Sequence, residues 1–401
     1  MNSNIYKYYS YSAISNFLFF LPIVYVFFQG NGLSLTQIFI IEAIFSIGLV
    51  LFEVPTGAFA DYYGKKASLV LGSVIWIISC VLFSFGSGFY TFTFAYLIWA
   101  LGAAFLSGAD TALLYDILHK DNQKEHFKKY QGNAKFIGLV AISLASLLGG
   151  YIASFSMRYT FIASAIAFFA MFLILISLKH KEDEKEEQES YTQIIKDSFS
   201  IISKSSILVW LFIYSAIFLV VFKLTQPSTQ IYMNLSNLDI KYFGFASAFF
   251  FIIAAIASKL TNKFEKNFKN YSYLILSILM ILSTFLISQF VFKLGFLIFG
   301  ILFFATSINS IIVQHEILQN APKSKHSTIL SFNNLFDRLI FVIISPLWGM
   351  GMDRLGLTNT FFYASLITIV LIAILMIYYF YDLLPTLKGG VSYKTIENET
   401  T

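Results

Sequence analysis

Apolar runs long enough to cross a bilayer recur from one end of this chain to the other, and no other feature restricts its possible folds so severely. A membrane core about 30 Å thick needs roughly 20 apolar residues in helical form. Twelve such runs can be marked, at 10–30, 34–56, 68–87, 90–115, 134–154, 159–179, 205–226, 241–259, 271–290, 294–317, 327–350 and 359–382. Inside lipid the backbone meets no water, so only helices or a closed barrel satisfy its polar groups. Barrel strands would be short and would alternate apolar with polar residues; these runs do not alternate. Charged residues make up only 12% of the chain, against about 25% in soluble domains. The expectation is an all-α membrane protein with twelve transmembrane helices.

Lysine and arginine set the orientation. With the N-terminus inside, 20 of the 27 basic residues fall in cytoplasmic segments and four (Arg158, Lys241, Lys293 and Arg354) in outer loops. Lys135, Lys223 and Arg338 sit in or at the edge of runs. Both termini are then cytoplasmic, as an even number of spans requires. A polar stretch, KHKEDEKEEQESYTQIIKDS at 179–198, is dense in mixed charge and reads as a solvated linker. It divides the chain into an N-terminal six-helix bundle (1–180), a cytoplasmic linker (181–203) and a C-terminal six-helix bundle with a cytoplasmic tail (204–401). The halves echo one another. Both carry a short basic link after their second span, and spans five and eleven end in glycine pairs, LLGGYIA at 147–153 and PLWGMGMD at 346–353. Such a repeat suggests two bundles about an axis along the membrane normal.

Several classes are excluded. The first run has full spanning length with no cleavage pattern after it, so it is not read as a removable signal. Cys80 is the single cysteine and cannot form an internal disulfide. No Cys/His cluster, zinc-ligand spacing, catalytic serine motif or GxxxxGK[ST] phosphate loop is present, so no metal, cofactor, enzyme activity or ATP drive is expected. The net charge of +5 resides in loops and calls for no nucleic acid.

One link is unusually short. Residues 53–69 read EVPTGAFADYYGKKASL. Gly57 and Gly64 permit close approach or a positive φ, Pro55 bends or ends span two, Asp61 suits a helix N-terminus or a lysine, and Lys65 and Lys66 hold the link inside. This stretch resembles the loop motif of the major facilitator superfamily, Gly-x-x-x-Asp-x-x-Gly-Arg-Lys/Arg, at Gly57, Asp61, Gly64 and Lys66, with Lys65 in place of the usual arginine. EVPTGAFAD, SGADTALLYD at 107–116 and HSTILSFNNLFDRLIFVIISPLWGMGMD at 326–353 are similar to a bacterial drug-efflux-like branch, with His326 where an arginine is common. The resemblance implies a two-bundle fold and a cytoplasmic latch in which Asp61, Lys65 and Asp116 join a charge relay facing span eleven. The span-five segment GLVAISLASLLGGYIA keeps Gly138, Gly149 and Gly150 but lacks the proline of the antiporter motif.

Ionisable groups inside the membrane are costly and therefore candidates for function. Glu42 lies about 13 Å into span two, near mid-membrane, either as a proton-coupling or substrate acid or as a structural hydrogen-bonded one. Glu53, on nearly the same face but close to the cytoplasmic end, reads as structural. Asp110 sits among small residues (Ser107, Gly108, Ala109) that suggest close packing, as a gate or a cavity acid. Asp337 and Arg338 lie near mid-depth of span eleven and point about 100° apart. Lys223, before Gln226 and Pro227, can snorkel to the interface or face the cavity. Asn16, Asn309, Asn333 and Asn334 line a cavity or join helices, and His315 and Glu316 read as interfacial.

The expectation is a secondary transporter, monomeric in a bacterial inner membrane, that exports small amphipathic compounds or drugs in exchange for protons. The alternatives are an importer or facilitator of a sugar, peptide or organic ion, and a membrane receptor. A polar cavity would favour the importer. An intact latch argues against the receptor.

Overall fold

The computed structural model describes residues 3–120, 123–178, 200–322 and 325–385. The linker 181–203 lies almost wholly outside them. Regular structure among the described residues is helical. The principal helices are α1 (Ser3–Ile14), α2 (Val24–Gly30), α3 (Leu35–Tyr63), α4 (Lys65–Phe85), α5 (Gly88–Leu106), α6 (Ala109–Lys120), α7 (Phe127–Ala153), α8 (Met157–Ser177), α9 (Ser206–Leu235), α10 (Phe243–Phe268), α11 (Ser272–Gln289), α12 (Phe299–Gln319) and α13 (His326–Tyr378). Nine helical segments among the described residues are long and apolar enough to cross a membrane. The segment 240–289 contains two of the expected runs, and 328–383 contains two more. In the second of these α13 is broken at Gly356, whose φ of 81° interrupts the helix.

The first expected run, 10–30, is not one continuous helix. Residues 15–23 leave the helix between α1 and α2. Ser15 Oγ and Asn16 Nδ2 both donate to the Ser12 carbonyl, at 3.2 and 2.8 Å, and thereby compete with the helix ladder. Pro22 then disfavours helical geometry at the residue before it and brings no N–H of its own. The unwound backbone finds protein partners: Phe19 N–H donates to Ser164 Oγ at 3.0 Å, and the Gln230 amide accepts from Tyr25 N–H at 2.9 Å and donates to Leu21 O at 2.8 Å. Irregular backbone at membrane depth survives only with such partners.

The fourth expected run, 90–115, is also interrupted. α5 ends at Leu106, and Gly108 takes a φ of 76° before α6 begins. Ser107 and Gly108 are exposed, and a Cβ on Gly108 would meet nothing within 4 Å. Backbone conformation, not close packing, explains that glycine. Pro55 does not end span two either, because α3 continues eight residues past it to Tyr63. The whole link to α4 is the single residue Gly64, at φ 101°, ψ 153°, which a side chain would strain.

The chain forms two compact units. One comprises Met1–Glu187, Gln230–Phe251 and Ser345–Asp353; the other comprises Gln188–Thr229, Ile252–Ile344 and Arg354–Thr401. In the first, α4 packs on α5 and α8, α3 on α5, and α1 on α7 and α8. Its core is aromatic: Phe161 stacks on Phe20 at 4.9 Å and on Phe83 at 5.1 Å, and Trp76 stacks on Trp99 at 4.3 Å. In the second unit, Trp210 stacks between Tyr214 and Tyr379, at 4.9 and 4.8 Å, over Tyr273.

Candidate functional site

In the second unit, α9, α12 and α13 surround a cavity of about 210 Å³ lined by Ser215, Thr306, Asn309, Asn333 and Asp337, among others. Asn333 and Asp337 are four residues apart and so share one helix face. Asn333 Nδ2 donates to Asp337 Oδ2 at 3.2 Å, and the Ser215 hydroxyl lies 3.0 Å from Asn333 Oδ1 and 3.3 Å from Asp337 Oδ1. Asp337 is 3% exposed, and among the described residues its hydrogen-bond partners Ser215 and Asn333 are neutral. Across the cavity, Asn309 Oδ1 and Thr306 Oγ1 are buried without hydrogen-bond partners among the described residues. Buried polar atoms seldom stay unpaired, and here two of them line the cavity that holds a carboxylate. The arrangement can accept hydrogen bonds from a solute or hold a cationic group. Lys223 places its ammonium over the Phe341 ring, 5.1 Å from the centroid. Arg338, next to Asp337, is half-buried.

The first unit holds the other acids. Glu42 Oε1 accepts from both the Tyr25 hydroxyl at 2.9 Å and the Tyr96 hydroxyl at 2.7 Å. Two phenols thus clamp one carboxyl oxygen, and neither tyrosine was singled out by the sequence, where phenolic side chains are too numerous to distinguish. Asp110 stands in the first turn of α6, where it accepts from Thr111 N–H at 2.5 Å and Thr111 Oγ1 at 3.1 Å. A carboxylate there also suits the helix N-terminus. Asn16 belongs to the unwound stretch and contacts Gly138. Glu53 is exposed.

The basic link behaves unevenly. Lys65 Nζ and Asp116 Oδ2 form an ion pair at 2.6 Å, partly shielded from solvent. Lys66 does something different. Its ammonium donates to the carbonyls of Ile176 at 2.9 Å and Leu178 at 2.6 Å, and Lys7 donates to Ser177 O at 2.6 Å. Two cations thus cap the C-terminus of α8, where the last carbonyls lack helix partners. Asp61 is exposed and joins no ion pair with a described residue. Gly57 lies within α3 with open space around it.

A tie that sequence reasoning missed lies at the other end of α3. Ser34 and Gln37 form a reciprocal capping box, which leaves the first two helical N–H groups unpaired. Asp353 takes them: Oδ1 accepts from Leu35 N–H at 3.0 Å, and Oδ2 accepts from Thr36 N–H at 2.8 Å and Thr36 Oγ1 at 2.6 Å. Ser345 Oγ donates to Phe39 O at 2.7 Å in the same seam. The glycine pairs noted at the ends of the fifth and eleventh expected spans serve such approaches. A Cβ on Gly349 would fall 2.7 Å from Thr36 Cα, and one on Gly150 would fall 2.8 Å from Gly244 N. A second group, Glu265 with His315 and Glu316, gathers at one end of the second unit.

Membrane-length helices that enclose carboxylates, amides and hydroxyls define a multi-pass membrane protein built to handle small molecules within the bilayer. The chain belongs to the Major Facilitator Superfamily, whose sequence pattern matches residues 9–343; it is a transporter and not an enzyme. It is similar along its length to the uncharacterized MFS-type transporter YxaM of Bacillus subtilis (strain 168), 23% identical over 395 residues and 96% of each chain. It is 30% identical over 189 residues to Multidrug resistance protein 2 of the same organism, covering 44% of this chain and 45% of that one. Its fold resembles the crystal structure of the nucleoside transporter NupG, with a TM-score of 0.80 at 13% identity over 95% of this chain and all of that one.

Proposed function

We propose that this protein is a proton-coupled exporter of small amphipathic or cationic compounds that works by alternating access. In this reading twelve spans form two six-helix bundles, residues 1–180 and 204–401, joined by the 181–203 linker. Both termini are cytoplasmic and the protein acts as a monomer. The observation that carries the reading is Asp337: a buried carboxylate that lines a cavity and is hydrogen-bonded there by Ser215 and Asn333. Such a group can hold either a proton or the cationic end of a solute, and exclusive occupancy is what exchange requires. Coupling then arises because proton and solute differ in their affinity for the two states. The partial likeness to Multidrug resistance protein 2 supports export and the drug-efflux-like branch.

Glu42 is a second coupling acid in the other bundle, with its charge state tied to Tyr25 and Tyr96. Lys65 and Asp116 form the inner latch, and Gly64 is its hinge. Asp61, the third member expected of that latch, stands outside the pair here.

The amides around Asp337 favour a second reading, an importer or facilitator of a small polar solute. One experiment separates the two. Purified protein goes into liposomes with a trapped pH-sensitive dye and an imposed pH gradient, and is challenged with cationic amphiphiles and with sugars, peptides and nucleosides. Proton flux driven by amphiphiles, abolished in Asp337→Asn and altered in its pH profile by Glu42→Gln, is the expected result. Uptake of a polar solute without proton movement would replace the first reading with the second.

A further inference from the structure

At one end of the second unit a cavity of about 400 Å³ opens between the end of α10, the start of α11 and the end of α12. Its lining includes Glu265, Lys266, Ser272, Tyr273 and Glu316. One ligand atom from each of Glu265, His315 and Glu316 can be chosen so that all lie within 4.8 Å of one another. Neither glutamate forms an ion pair with a described residue, although two lysines line the same cavity. Ser272 supplies an independent observation. It is 1% exposed, and its Oγ has no hydrogen-bond partner among the described residues. A buried hydroxyl left unpaired is costly, so a cavity that holds one is short of a partner.

We propose that Glu265, His315 and Glu316 form a divalent transition-metal site of the Zn²⁺ class that staples α10 to α12, with Ser272 hydrogen-bonding a metal-bound water. The donor set selects the ion. Oxygen alone would suit Mg²⁺ or Ca²⁺, whereas one imidazole with two carboxylates suits Zn²⁺ and its neighbours. A tetrahedral ion with bonds of about 2.1 Å places its ligands roughly 3.4 Å apart, so the three side chains need to close by roughly 1.4 Å. His315 is exposed and the glutamates half-buried, so side-chain rotation supplies that movement without moving a helix. The fourth position is left to water, and Ser272, in the wall of the same cavity, is the hydroxyl proposed to hold it. The three ligands come from two helices, so the ion would restrain one against the other. It would act as a regulator and not as cargo, because its lining shares no residue with that of the Asp337 cavity.

The test uses the full-length chain in nanodiscs, purified without a histidine tag and stripped with chelator. Zn²⁺ is titrated in competition with a chromophoric indicator, and Co²⁺ is then substituted for its ligand-field spectrum. One Zn²⁺ per chain is expected, with affinity at least ~10-fold weaker in each of His315→Gln, Glu265→Gln and Glu316→Gln and a few-fold weaker in Ser272→Ala. The Co²⁺ spectrum should lose its imidazole contribution in His315→Gln. His315 is exposed, so that variant is expected to keep its fold, checked by helix content and elution volume. Binding that is absent, that is equal in wild type and ligand variants, or that depends on the imidazole alone as a surface histidine would, overturns the proposal.

Discussion

Removing the Asp353 carboxylate should loosen the seam between the start of α3 and the segment Ser345–Asp353 while leaving α3 itself intact. The capping box of Ser34 and Gln37 already fixes the helix start, so Asp353 contributes a tie and not a cap the helix depends on. Its three hydrogen bonds, at 3.0, 2.8 and 2.6 Å, are exposed to solvent, which argues for the lower range of such values. A capping interaction is worth ~1 kcal/mol, and a negative charge at a helix N-terminus adds ~0.3–1 kcal/mol. A total of about 1.5 kcal/mol corresponds to roughly a tenfold change in population. Ser345 is fully buried, so a Ser345→Cys thiol reports seam opening through its rate of reaction with maleimide. Cys80, also fully buried, gives a low background. When opening is fast relative to reaction, the rate tracks the open population. Adding Asp353→Ala should raise it about tenfold, and Asp353→Asn, which loses charge but keeps an acceptor, about threefold. A rate in the Asp353→Ala background within twofold of the parent, with helix content preserved, would refute the idea that this carboxylate holds the seam.

Other outcomes follow from the same geometry. Lys65→Asp or Asp116→Lys alone should slow transport about fivefold, matching the ~1 kcal/mol of a partly shielded ion pair, and the double swap should restore most of it; a double variant no faster than the singles would show that the pair is incidental. Gly349→Ala should speed Ser345→Cys labelling, since its Cβ would fall 2.7 Å from Thr36 Cα, while Gly57→Ala, with nothing within 4 Å, should leave both labelling and melting temperature unchanged or slightly improved. Lys66→Ala should destabilise the end of α8 by ~0.5–1 kcal/mol, read as faster hydrogen exchange at residues 174–178, and Lys66→Arg should recover much of it.

Hydropathy made most of the helices legible because lipid permits so few alternatives. It could not reveal where those helices break. Residues 15–23 are as apolar as a span, yet Ser15, Asn16 and Pro22 tip them out of the helix, and the structure tolerates this only because Ser164 and Gln230 supply partners from elsewhere in the chain. Gly108 was visible as a small residue, but a sequence does not say whether a glycine is chosen for close packing or for φ; here it is φ. Gly64 was legible because a turn between two apolar runs leaves few other roles for it.

The acids divide along the same line. Glu42, Asp110 and Asp337 stand out in a sequence because a charge inside a span is rare, and rarity needs no partner to be noticed. What each acid does depends on partners that carry no such signal: two tyrosines among 24 for Glu42, a neighbouring threonine for Asp110, and a serine and an asparagine for Asp337. Asp353 escaped notice for the converse reason. A carboxylate between two expected spans looks ordinary, and only the fold brings it to the two N–H groups that the capping box leaves over. A buried charge therefore marks where to look, while its role is written in neutral side chains. The Lys65→Asp, Asp116→Lys and Asp353→Ala variants test charges that the sequence made visible or plain. Ser215→Ala and Tyr96→Phe test the neutral partners, and if those partners set the function they should shift the pH profile of transport as far as changes to the acids do.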